Sequence, residues 1–155
     1  PRSIASRHTL NRRIKRRENF RPFAPSVPED RMAEYFGIDQ PSPFMLFTAP
    51  VLGARIPAQK WRDGDIVTAE SPIPAVTHVD GTARLHTVAR EDNPLFWELL
   101  TAFGRLTGCP VLLNTSFNGR DEPIVCSPED AVQSAGANGL DGLAIGPFFA
   151  TTRSR

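Results

Sequence analysis

The chain has 155 residues, 40% of them apolar, enough to bury one ordinary core. Its formal net charge of +1 is unevenly spread: residues 1–21 hold eight basic groups (Arg2, Arg7, Arg12, Arg13, Lys15, Arg16, Arg17, Arg21) against Glu18, and the remainder holds ten basic against sixteen acidic groups. Two cysteines, Cys109 and Cys126, exclude a disulfide framework or a thiolate metal motif, and no apolar run nears the roughly 20 residues that span a bilayer. With no secretory signal either, a reduced cytoplasmic protein of one domain and without a membrane partner is expected. The chain opens on Pro1, so a fragment of something longer is also expected. The basic start suits an anionic partner: nucleic acid, nucleotide, phosphate or an acidic neighbouring domain.

Taken in order, Arg7 to Arg17 predicts a short helix with Leu10 and Ile14 as its apolar edge and its cations spread around the circumference. In Phe20-Arg21-Pro22-Phe23-Ala24-Pro25 two prolines forbid helix and stiffen the backbone that carries Arg21. A rigid guanidinium suits bidentate phosphate or carboxylate binding, and equally a structural salt bridge; both readings stay open. Pro28 to Phe36 predicts a short helix closed near Gly37, and Phe44 to Phe47 a core strand with Met45 as a packing residue. Val51 to Pro74, rich in Pro, Gly and charge, predicts a surface excursion with a possible helix around Ala58 to Arg62.

Ala75 to Val88 predicts a hairpin about Asp80-Gly81, with Ala83, Leu85 and Thr87 on one face of its second strand and Arg84, His86 and Val88 on the other. A mid-strand Arg84 needs a partner for its charge, either a bound anion or an internal carboxylate. His78 and His86 face each other across this turn without a clear third ligand, so no metal site is assigned. Asn93 as N-cap, Pro94 at the first helical position and Gly108 as stop predict a helix whose Leu95, Leu99, Ala102, Phe103 and Leu106 form a core stripe.

Val111, Leu112 and Leu113 predict a central strand covered on both faces, and Asn114 begins a polar stretch at its carboxyl end. In α/β proteins ligands sit at such strand ends, and Asn114, Thr115, Ser116 and Asn118 offer uncharged donors and acceptors to a phosphate or carbonyl. Each alone would be as well explained by a local turn bond. Ser127-Pro128-Glu129-Asp130 starts a last helix, whose carboxylates are read as caps rather than catalysts, and Leu140 to Ile145 a last strand before a basic tail. The fold class is therefore α/β.

Three segments together, Phe20-Arg21-Pro22-Phe23-Ala24-Pro25-Ser26, His78-Val79-Asp80-Gly81-Thr82-Ala83-Arg84 and Asn114-Thr115-Ser116-Phe117-Asn118 with Glu122-Pro123-Ile124-Val125, resemble the carbamoyltransferases of the NodU/CmcH type. The match covers nearly the whole chain, and what it resembles is the C-terminal, YrdC-like domain, a mixed twisted sheet flanked by helices. The resemblance implies a larger preceding actin-ATPase-like domain that holds iron and completes transfer to the acceptor hydroxyl of a small molecule, such as a natural product, antibiotic or Nod factor. It also implies that carbamoyl phosphate is cleaved in the YrdC-like domain and that the carbamate attacks the α-phosphate of ATP, giving carbamoyl-adenylate and pyrophosphate. Mg²⁺ would accompany the ATP. By motif, Lys15 and Arg21 resemble the family's phosphate-binding pair, Arg84 a third cation, and Asn114 and Ser116 the polar groups around carbamoyl phosphate; the resemblance assigns no ATP-contacting residue. Gly119 and Asp121 depart from the family, which commonly has an apolar residue and a glycine there. The alternative function is a basic nucleic-acid-binding module, which Phe20 and Phe23, flanked by prolines as packing anchors, do not favour.

Overall fold

A computed structural model describes residues 1–58, 61–62 and 65–151. In chain order the elements are α1 (Ile4–Thr9), a π-helical turn (Leu10–Lys15), β1 (Ala24–Pro28), a 3-10 segment (Glu29–Glu34), β2 (Thr48–Pro50), β3 (Trp61–Arg62), β4 (Asp65–Ile66), a second 3-10 segment (Pro74–Val76), β5 (Thr82–Arg84), β6 (His86–Val88), α2 (Pro94–Thr107), β7 (Leu112–Asn114), α3 (Pro128–Ala137), β8 (Gly142–Ile145) and β9 (Phe148–Thr151). The protein is α/β. The chain groups into two compact units, Pro1–Arg7 with Phe20–Thr115 and His8–Asn19 with Ser116–Arg155.

The first unit is built on a mixed three-stranded sheet in the order β6-β1-β7, with β1 parallel to β6 and antiparallel to β7. β1 is buried along its whole length although Pro25 and Pro28 belong to it. Proline normally marks an edge strand, but each withholds only one N–H and keeps its carbonyl as an acceptor. The expectation that residues 111–113 form the central strand is corrected: β7 is an edge of this sheet, Val111 is fully buried, and Leu112 and Leu113 are half-buried.

α2 packs against β1 and starts and stops as its caps dictate. Asn93 Oδ1 accepts from Phe96 N–H at 3.1 Å, and Gly108, at φ 73°, returns its N–H to the Gly104 carbonyl. Its buried side, however, is not the expected stripe. Leu95, Leu99 and Leu106 are 76%, 55% and 86% exposed, whereas Leu100 is fully buried and Phe96, Phe103 and Thr107 are half-buried. The helix is turned by one residue, because Phe96, Leu100, Phe103 and Thr107 satisfy the 3.6-residue period as well as the expected set does.

Other expectations shift in the same way. Phe44 to Phe47 is not a strand but a turn and an exposed approach to β2, with Phe44 78% exposed; four apolar residues in a row carry no period by which to place them. The helix expected at Pro28 to Phe36 is only the 3-10 segment, because Pro28 is still part of β1. The Asp80-Gly81 turn forms, with Gly81 at φ 79°, but the segment before it holds a 3-10 turn instead of a strand, and β5 pairs with β2. The stretch from Val51 to Pro74 is not purely superficial, since Val51, Ala69 and Ile73 are buried. The helix expected around Ala58 to Arg62 falls partly outside the described residues, and its end at Trp61–Arg62 is strand β3.

In the second unit α3 opens with a capping box: Asp130 N–H donates to Ser127 Oγ and Ser127 N–H to Asp130 Oδ2, both at 3.1 Å. β8 and β9 form an antiparallel pair, β9 being an element the sequence reading did not anticipate, and the basic tail of 152–155 lies outside the described residues. Both cysteines are free. Among the described residues no helix is long and apolar enough to cross a membrane. Urea unfolding tests the phase of α2: Leu100→Ala is expected to cost about 2–5 kcal/mol, and Leu95→Ala or Leu106→Ala within about 0.5 kcal/mol.

Candidate functional site

The second unit gathers its polar residues around one ammonium group. The helix expected over Arg7 to Arg17 is instead α1 followed by the π-helical turn, a local irregularity frequent at functional sites. It buries Arg7, Asn11 and Lys15, one residue along from the expected apolar edge at Leu10 and Ile14, which are half-buried. Asn11 and Lys15 of this stripe are hydrogen-bonded within the fold. Asn11 Oδ1 accepts from Arg17 Nε at 2.7 Å, and Asn11 Nδ2 donates to the Asn19 carbonyl at 3.3 Å. Arg16, in the left-handed region at φ 45°, ends the turn.

Lys15 Nζ lies against four oxygens of the turn that begins at Ser116. It donates to the Ser116 carbonyl (2.7 Å) and hydroxyl (3.2 Å) and to the Asn118 carbonyl (2.8 Å) and Oδ1 (2.9 Å). Three ammonium protons thus face four acceptors, and the Ser116 hydroxyl donates in turn to Asn118 Oδ1 at 2.6 Å. Burial holds the Lys15 pKa below its usual value, helped by the Arg17 charge and opposed by Glu122. Lys15 and Ser116 are therefore brought together. Asn118, one of the polar residues noted at the strand end but not assigned to a ligand, is their third member. Its signal was its spacing, Ser-Phe-Asn, which sets two polar side chains on one side of a turn.

Gly119 and Asp121, the two departures from the family, have a local explanation. A Cβ at Gly119 would press on the Asn138 amide and lie 2.8 Å from Glu122 Oε2, so a side chain there would require both of those hydrogen-bonded side chains to move. Asp121 takes φ 61°, a backbone that glycine adopts without strain and aspartate tolerates better than most.

The first unit carries the remaining residues. β7 ends at Asn114, whose register partner on β1 is Ala24, while Ser26 is the partner of both Leu112 and His86. Pairing on both sides of β1 thereby collects Ser26, His86 and Asn114. His86 Nδ1 lies 2.7 Å from Ser26 Oγ and 3.3 Å from Asn114 Nδ2. With the Asn114 amide donating, Nδ1 is the acceptor for both and the ring proton sits on Nε2. Burial lowers the His86 pKa, and its ring stacks on Phe96 at 6.1 Å. The ring also lines a cavity of about 300 Å³ with Phe44, Asn93 and Phe96, at the small end of ligand-sized pockets.

Arg21 and Arg84 are exposed, so the desolvation argument that demanded a partner for Arg84 does not apply. Arg84 sits at the end of β5 opposite Thr48, and its charge contributes to lowering the pKa of His78, mainly a burial effect. His78 and His86 do not form a pair: His78 Nδ1 is bonded to Thr82 Oγ1 at 3.1 Å.

Two measurements test this geometry. Lys15→Met removes the ammonium from its oxygens at nearly constant volume and is expected to cost about 1.5–3 kcal/mol in denaturant unfolding. Because the His86 pKa is lowered on folding, the unfolded chain binds the extra proton as pH drops below 6.5. Stability should accordingly fall from pH 7 towards pH 5, and a parallel His86→Gln series should show a shallower decline; equal slopes would remove His86 as a cause.

The family model described as Carbamoyltransferase C-terminus matches residues 1–152. The chain is 45% identical over 154 residues to an uncharacterised protein of Synechocystis, covering 96% of this chain and 25% of that protein. It is 41% identical over 156 residues to the nodulation protein NolO of Bradyrhizobium diazoefficiens, covering 99% and 26% respectively. To the nodulation protein U of the same organism it is 43% identical over 105 residues, covering 68% and 16%. The chain spans about a quarter or less of the length of these curated relatives. With a match that runs almost from end to end and takes in all three motifs, the chain belongs to the carbamoyltransferase C-terminus family.

Proposed function

We propose that this chain is the carbamoyl-activating part of an O-carbamoyltransferase (EC 2.1.3.-). It binds carbamoyl phosphate and ATP and forms carbamoyl-adenylate for transfer, by a preceding actin-ATPase-like domain, to the hydroxyl of a small-molecule acceptor. What supports this reading is the family match over residues 1–152. Lys15, Arg21, Arg84, Asn114 and Ser116 are the residues proposed for carbamoyl phosphate. The chemistry suits them: the ligand carries close to two negative charges, cations stabilise the departing phosphate, and uncharged amide and hydroxyl groups orient the carbamoyl end. Mg²⁺ enters with ATP, held by phosphates and water, and no residue of this chain is assigned to it. Iron belongs to the preceding domain in this reading, and acceptor transfer is not expected of the chain alone.

A nucleic-acid-binding module is the second reading, favoured by the exposure of Arg12, Arg13 and Arg16. Substitution separates the two, because backbone binding draws on Lys and Arg and weakens steeply with salt. Arg21→Ala and Arg84→Ala are each expected to weaken carbamoyl phosphate binding in calorimetry by about 1.5–3 kcal/mol. Arg84 being exposed, Arg84→Ala should shift folding stability by no more than about 0.5 kcal/mol. Asn114→Ala and Ser116→Ala should lose carbamoyl phosphate-dependent exchange of pyrophosphate into ATP, while Arg12→Ala and Arg13→Ala retain it. The opposite ranking, with salt-sensitive RNA binding, would replace the enzyme reading with the second one.

A further inference from the structure

The turn that surrounds Lys15 is itself held from its other side, within the second unit, by one carboxylate. Glu122 Oε2 accepts from the Gly119 N–H at 2.7 Å, from Ser134 Oγ at 3.2 Å and from Asn138 Nδ2 at 3.2 Å. The Glu122 carbonyl accepts from Asn118 Nδ2 at 2.9 Å. That last bond decides which way the Asn118 amide points: with its nitrogen on Glu122, its oxygen faces Lys15 and Ser116. Ser134 is buried on α3, so one oxygen ties the turn to a helix anchored by its capping box. Asn138 is fastened in the same place, its Nδ2 also donating to the Ser134 carbonyl at 2.9 Å.

Glu122 is poorly placed to be an acid or base. Its Oε2 faces three donors, and those bonds, the Gly119 N–H first and Asn138 next, keep its carboxyl below the usual carboxylate range. A group held as the anion and saturated with donors supplies geometry. We infer that Glu122 is a positioning residue: by fastening Gly119, Ser134 and Asn138 to one carboxylate oxygen, it sets the turn in which Ser116 and Asn118 present their oxygens to Lys15. The inference rests on the carbamoyl phosphate reading and goes beyond it, since Glu122 is not among the residues proposed to touch that ligand. It also accounts for Gly119, because a methyl group there would push on Asn138 and Glu122 at once.

The test is carbamoyl phosphate titration by calorimetry into the 155-residue chain and three variants, with unfolding midpoints measured in parallel. Glu122→Ala, which leaves three donors without their acceptor, is expected to weaken binding at least ten-fold. Glu122→Gln keeps an oxygen for those donors and loses only the charge, so it should recover most of the affinity. Ala131→Gly, at a buried position of α3 outside the clamp, loosens the helix without touching the turn and should leave affinity unchanged at a lowered midpoint. As a check independent of the ligand, the side-chain amide protons of Asn118 should exchange slowly in the parent and in Glu122→Gln, and fast in Glu122→Ala. A parent that binds together with an unaffected Glu122→Ala overturns the positioning role alone. Affinities that merely follow the midpoints, Ala131→Gly included, overturn it too. A parent that does not bind overturns the carbamoyl phosphate reading, and the positioning role with it.

Discussion

The second unit depends on bringing a buried ammonium to a turn a hundred residues away in sequence. Lys15 has its charge on a residue that a helical segment places inside, and an unpaired ammonium there would be expelled or deprotonated. Its stability in that position rests on Ser116 and Asn118, each of which offers a main-chain carbonyl and a side-chain oxygen. These oxygens are in turn fixed by Asn118 Nδ2 on the Glu122 carbonyl and by Gly119 N–H on the Glu122 carboxylate. Cation, turn and carboxylate are one network, and in such a network each member's position depends on the others being present.

The first unit solves a different problem with sheet register. Asn114, His86 and Ser26 come from three strands, and none is near another in sequence. They meet because β1 pairs in opposite senses with its two neighbours, aligning Ser26 with His86 on one side and Ala24 with Asn114 on the other. Uncharged side chains can be collected in a buried strand at small cost when they bond one another. The charged residues Arg21 and Arg84 remain exposed. Basic residues thus occur in both settings, Lys15 buried against the turn and the two arginines at the surface.

Local signals in the sequence determined where some elements begin and end. Asn93, Pro94 and Gly108 bound α2, Ser127 and Asp130 cap α3, and Asp80-Gly81 makes its turn, because these features act through bonds spanning only a few residues. The motifs also sufficed to name the family. Tertiary structure alone decided phase and partnership. α2 buries Leu100 where the sequence pointed to Leu99, and the first helical segment buries Asn11 and Lys15 where it pointed to Leu10 and Ile14. A 3.6-residue period fixes the spacing of a stripe, but which of two adjacent stripes faces inward depends on the surface it meets. For α2 that surface includes β1, and β1 became the middle strand despite its two prolines. The sequence offered Asn118 as a polar group at the strand end and Glu122 as part of a motif, but not their bonds to Lys15, Ser134 and Asn138, since no local pattern can report hydrogen bonds made to residues so distant along the chain.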